Sequence, residues 1–134
     1  MSPSPRPLKI LLVENHEDTL KYLARYLQIQ GHEVCGTRDM ASAIEALSAS
    51  KFDILISDIG LPDGDGWQLI RQLETKPFCI AMSGFGTHSD REKSLAAGYK
   101  HHLTKPFLPD DLDALLASAA AQLQKESDGF RGSP

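Results

Sequence analysis

Glu14, Asn15, Asp58, Ser83 and Lys105 are far apart in the chain, yet each ends or directly follows a short β-rich run. The runs are LKILLV before Glu14, FDILIS before Asp58, FCIAMS ending in Ser83, and YKHHLT before Lys105. Together these positions offer two carboxylates, one amide, one hydroxyl and one ammonium. Such oxygen donors suit Mg2+, which uses few protein ligands and completes its shell with water and phosphate oxygens. A lone Asp at the centre of the set can act as a carboxylate nucleophile toward a phosphoryl group. The hydroxyl and ammonium would then bind phosphoryl oxygens, where charge has to be neutralised. One position breaks the pattern. In ILLVENHED (10–18), Asn15 sits among the acids, where a third carboxylate would be unsurprising.

The elements that must carry these groups alternate regularly. Short β-rich runs occupy 8–13, 32–36, 52–57, 78–83 and 99–104, bounded by turn residues as buried parallel strands are. The second and fifth are the more polar and belong nearest the sheet edges. Helical stripes fill the gaps: Leu20, Leu23, Ala24 and Leu27, closed by Gly31; then Met40, Ala43, Ile44 and Leu47; then Leu69, Ile70 and Leu73. Ser89 and Glu92 have capping-box spacing and predict a fourth helix over roughly 89–97, with the weakest apolar face. Leu112, Leu115, Leu116, Ala119 and Leu123 make the last stripe, with Pro109 and two aspartates at its start. The order is (βα)5. Right-handed crossovers then give a doubly wound α/β fold, a five-stranded parallel sheet with helices on both faces. Ligands of such sheets sit beyond the strands' carboxyl ends, which is where the five side chains fall.

With 134 residues the chain is one domain's worth of core. Fourteen basic against 18 acidic residues give a net charge of −4, and no Lys/Arg block offers a footprint for phosphate backbones. Direct nucleic-acid binding is therefore not expected. The start, MSPSPRP, has no apolar signal core, and no apolar stretch nears the ~20 residues of a membrane span, so the chain reads as cytoplasmic without membrane contact. Residues 1–7 read as a flexible lead, 8–125 as the domain, and 126–134 as a flexible tail. Cys35 and Cys79 lie in strand runs and read as small buried hydrophobes.

Several local patterns carry less. DGDG (63–66) resembles a calcium-loop fragment but lacks the later ligands, so it reads as a turn capping the third helix. SGFGTHS echoes a dinucleotide fingerprint without its third glycine and reads as a loop. His101 and His102 are neighbours on a strand, so they point to opposite faces and do not share a metal ion. His16 reads as a surface residue, and Trp67 as either a partner anchor or a partly packed helix-start residue.

Taken with their contexts, Glu14–Asn15, Asp58 in SDIGLPDGDG, Ser83 in MSG and Lys105 in TKPF resemble the receiver domain of two-component response regulators, a flavodoxin-like fold. The resemblance spans roughly residues 7–125. It implies that Asp58 accepts a phosphoryl group from a histidine kinase or histidine phosphotransfer protein in a Mg2+-dependent step. It implies that Glu14, Asn15, Asp58 and the Gly60 backbone carbonyl approach the metal. Ser83 corresponds to the switch hydroxyl and Lys105 to the phosphate-pairing lysine, whose bond to Pro106 is commonly cis. His102, three residues before Lys105, occupies the position of an aromatic switch residue, where an imidazole would toggle inward. LLVENHED and AGYKHHLTKPF are most similar to receivers of hybrid histidine kinases. The side-chain-free Gly60 and the nearby Phe85 are expected to set how long an acyl phosphate survives.

Two rival readings stay open. A haloacid-dehalogenase-type phosphohydrolase needs a second Asp two residues after the nucleophile, and Gly60 stands there instead. A pseudo-receiver, a binding module that has lost its metal and its switch, turns on Asn15. In receivers the second acid of the strand-1 pair commonly contacts the metal, so Asn15 predicts weakened Mg2+ binding. Sequence leaves oligomeric state open, and also whether the domain stands alone or belongs to a longer hybrid kinase.

Overall fold

The β-rich runs form one parallel sheet in the computed structural model, which describes residues 7–84 and 88–131. Its strands are β1 (Lys9–Val13), β2 (Glu33–Thr37), β3 (Ile54–Asp58), β4 (Phe78–Ser83) and β5 (His101–Thr104). They are ordered β2-β1-β3-β4-β5. The three apolar strands are central and the two polar ones are the edges, as the sequence predicts. Helices follow each strand: α1 (Glu17–Ile29), α2 (Met40–Ala49), α3 (Gly66–Arg71), α4 (His88–Ala97) and α5 (Pro109–Arg131). A two-residue ribbon, Gly60–Leu61 paired with Gly64–Asp65, folds the chain back between β3 and α3.

Period-two alternation along the strands divides the core into two layers. Ile10, Leu12, Ile54, Ile56 and Ile80 face α1 and α5, packing with Leu23, Leu27, Leu112 and Leu116. Leu11, Val13, Leu55, Cys79 and Ala81 face the other helices, packing with Ala43, Leu69, Ile70 and Ala97. Because chain order reverses across β1, a crevice opens between the carboxyl ends of β1 and β3. That crevice holds the site.

Local chemistry fixes the helix ends. Gly31 takes φ +98 after α1; its N–H donates to the Gln28 carbonyl, and that of His32 to Leu27, the two bonds of a Schellman motif. Asp65 and Gln68 form a reciprocal capping box at α3, which is the use the DGDG run finds. Asp63, from the same run, accepts from the Met40 and Ala41 N–H groups at 2.8 and 3.0 Å and so ties the ribbon to α2.

Three boundaries differ from expectation. α3 stops at Arg71, leaving Leu73 beyond it. α4 begins at His88, so Ser89 is a first-turn residue rather than the cap, and Glu92 meets His88 one turn away at 2.8 Å. α5 continues through Arg131, so the stretch expected as tail from 126 is helical that far. No proline interrupts it, the Gln122 amide meets Glu126 at 3.2 Å, and Gly129 alone costs only ~1 kcal/mol. Residues 1–6 and 132–134, also expected to be flexible, lie outside the described residues. α4 buries only Ser94 and Ala97, in keeping with its weak apolar face. No helix among the described residues is long and apolar enough to cross a membrane.

Candidate functional site

Asp58 ends β3 between β1 and β4, and its backbone is clamped from three sides. The Ile59 N–H donates to Met82 at 2.9 Å, the Ser57 hydroxyl donates to the Asp58 carbonyl at 2.9 Å, and the Gly66 N–H donates to Ile59 at 2.8 Å. Buried Tyr99 donates its hydroxyl to the Gly66 carbonyl at 2.7 Å. A Cβ at Gly66 would lie 2.8 Å from the Asp58 carbonyl oxygen and 2.9 Å from the Tyr99 hydroxyl. Neither neighbour can swing away, since one is backbone and the other is buried. Gly66→Ala is therefore expected to cost about 1–3 kcal/mol as an overpacked position, read from the urea unfolding midpoint. An unchanged midpoint would show that the Asp58 backbone is not held this tightly.

Lys105 is the charge centre. Its ammonium donates to Glu14 Oε1 at 2.5 Å and to Asp58 Oδ2 at 2.9 Å. The Glu14 side chain is fully buried, while those of Asp58 and Lys105 keep 16% and 24% of their exposure. Asp58 Oδ1 faces the Gly60 N–H at 3.3 Å. Burial pushes the Glu14 carboxyl above its usual range, the adjacent Asp58 carboxylate adds to this, and Lys105 opposes it. Burial alone would lower the Lys105 ammonium, but the two carboxylates outweigh it and hold it above its usual value. The second oxygen of Glu14, Oε2, is buried with no hydrogen-bond partner. An orphaned buried carboxylate oxygen is costly and marks a place for a cation or donor. The Lys105–Pro106 bond is cis.

These groups line a cleft of about 680 Å³ whose walls include Asn15, Gly60, Trp67 and Ser83. The structure thus brings Glu14, Asn15, Asp58, Ser83 and Lys105 to one mouth. Asn15 is exposed there, and its carbonyl accepts a 3.4 Å bond from Arg38. Among the described residues no three His, Cys, Asp or Glu side chains are grouped to hold a metal. Gly60 is exposed, and a Cβ added to it would meet nothing within 4 Å. Phe85 lies outside the described residues.

His102 faces inward, its Nε2 2.9 Å from the Ser83 hydroxyl, while His101 packs its ring against Phe78 on the other face. His16 is exposed, and Trp67 is partly packed. Two participants escaped the sequence reading. Ser94 is fully buried in α4 and bridges His102 and Trp67; Asp63 holds α2 to the ribbon. The one available signal for Ser94 was a serine on the inward stripe of a helix with few apolar residues.

A doubly wound α/β domain with an acid pair and a lysine at its topological switch point defines the class of protein. The family model of the response regulator receiver domain matches residues 10–117, and the chain belongs to that family. It is 30% identical over 116 residues to the sensor protein EvgS of Escherichia coli K12, covering 84% of this chain and 10% of that protein. It is 33% identical over 126 residues to the two-component response regulator PhoP of Pseudomonas aeruginosa, covering 92% of this chain and 54% of that one. The chain thus spans about half or less of the length of these relatives. A CheY-like receiver domain protein from Methanospirillum hungatei superposes with a TM-score of 0.84 at 24% identity, covering 90% and 98% of the two chains, and so shares the fold.

Proposed function

We propose that Asp58 is the phosphoacceptor of a signalling switch, loaded from the phosphohistidine of a histidine kinase or phosphotransfer protein. The observation that carries this is Lys105, held between Glu14 and Asp58 at a cleft that Ser83 also lines. A carboxylate oxygen of Asp58 attacks phosphorus, the P–N bond breaks, and its electron pair returns to the donor imidazole, leaving an acyl phosphate. Lys105 then exchanges its Asp58 contact for a phosphoryl oxygen, and Ser83 donates its hydroxyl to another. The chain acts as a stoichiometric acceptor in the cytoplasm, not as a multiple-turnover enzyme, since Gly60 supplies no acid or base beside Asp58.

Mg2+ fits this donor set: Glu14 with its unpartnered Oε2, Asp58, the Asn15 amide oxygen and the Gly60 carbonyl would hold it. When bound it would neutralise charge on the phosphoryl oxygens. Uptake of label from a small phosphodonor, with and without Mg2+, tests the proposal. Label that requires Mg2+ and disappears in Asp58→Ala supports it. No label at millimolar Mg2+ would favour the pseudo-receiver reading, which Asn15 motivates.

The open space beside Gly60 leaves one side of the acyl phosphate to water. Gly60→Gln is expected to fold normally and to lengthen the phosphorylated lifetime several-fold, followed by loss of label after donor removal. An unaltered rate would remove Gly60 from the account.

A further inference from the structure

Ser94 is the only polar side chain that α4 buries, and it is fully buried. Trp67 of α3 donates its indole N–H to Ser94 Oγ at 3.0 Å. Ser94 Oγ lies 3.0 Å from His102 Nδ1, and His102 Nε2 lies 2.9 Å from Ser83 Oγ. An indole nitrogen can only donate, so the direction of the first bond is fixed. The Ser94 hydroxyl proton, cut off from water, then has His102 Nδ1 as its acceptor. An imidazole whose Nδ1 accepts is neutral and carries its proton on Nε2. The donor toward Ser83 is therefore the histidine.

We propose that Ser94 and Trp67 are positioning residues that hold His102 as its Nε2–H tautomer, so that Ser83 accepts from His102 and turns its own proton away from β5. Donation from Ser83 to a phosphoryl oxygen requires that orientation, so the inference rests on the reading of Ser83 given above. An imidazolium would reverse the Ser94 bond. Burial disfavours it, and Arg91 of α4 does so too, against Asp90 of the same helix. Lys93 of α4 is engaged over the Trp67 ring, 5.3 Å from its centroid. Lys105 is paired with Glu14 and Asp58. The relay also links α4, which otherwise buries only Ala97, to Ser83 through His102.

Nitrogen-15 NMR of the imidazoles in the whole, unphosphorylated chain at pH 7.5 reads the tautomer directly. His102 is expected as Nε2–H in the unaltered protein. Ser94→Ala should shift the tautomer ratio about fivefold toward Nδ1–H and raise the His102 pKa, as loss of one ordinary hydrogen bond would. Trp67→Phe, which frees Ser94 to accept, should shift it in the same direction and covers the case in which Ser94→Ala does not fold. A charged or Nδ1–H His102 in the unaltered protein, or a ratio unmoved in the folded variants, would overturn the proposal. Phosphoryl uptake by the unaltered protein, measured in parallel, decides the functional reading separately: the tautomer result stands whichever way it falls.

Discussion

Lys105→Met is expected to destabilise the metal-free protein by about 3 kcal/mol at pH 8, and by clearly less at pH 5. Removing one partner of a buried ion pair typically costs ~3–5 kcal/mol because the other charge is left uncompensated. Lys105 keeps some exposure, which places the loss at the lower end. The pH dependence follows from Glu14, whose pKa is raised in the folded state by burial and by Asp58. A group raised on folding stabilises below its unfolded pKa and loses that contribution as pH rises through the folded value. Lys105 is also raised, so its own contribution is complete at neutral pH and lost only in strong alkali. Without the lysine, Glu14 faces Asp58 with nothing opposing, and the penalty grows as both ionise. Millimolar Mg2+ should restore part of the loss. Urea unfolding at the two pH values, in EDTA and in Mg2+, measures all of this. Equal midpoints for both proteins would show that the lysine bridges carry no net stability.

The second large effect concerns Asn15. Asn15→Asp is expected to tighten Mg2+ binding tenfold or more. Two unit charges ~4 Å apart interact by about 4 kcal/mol at an effective dielectric near 20, and a divalent ion by more. Hydration of the ion returns much of this, and a residual of about 1.4 kcal/mol is the tenfold change. The same substitution sets a third carboxylate beside Glu14 and Asp58, so the metal-free variant should also be less stable at pH 8. Trp67 lines the cleft and supplies a fluorescence signal for the titration. Identical affinities would assign Asn15 to the loop alone. The loop contact of Asn15 with Arg38 is made by its backbone carbonyl.

Strand identity and the two edge strands were legible because their signals are local. An apolar run with a polar side chain at its carboxyl end specifies both a strand and where its product points. Asp58 and Glu14 could be read this way, while the polarity of the second and fifth runs marked β2 and β5 as the edges. Helix ends were harder. Ser89 and Glu92 satisfied a spacing rule, yet α4 starts one residue earlier, and α5 continues where only a glycine and polar residues argued for a stop. The Trp67–Ser94–His102 relay was out of reach for a different reason. It joins α3, α4 and β5 by hydrogen bonds whose direction no sequence period encodes.

Reductive trapping decides whether Asp58 carries the phosphoryl group. The protein is loaded with a small phosphodonor in Mg2+ and treated with borohydride, which reduces an acyl phosphate to the alcohol. Peptide mass analysis then locates the converted residue. Conversion of Asp58 to homoserine, dependent on donor and Mg2+, is the predicted result. Conversion at another carboxylate, or none under conditions where Mg2+ is shown to bind, would contradict the account.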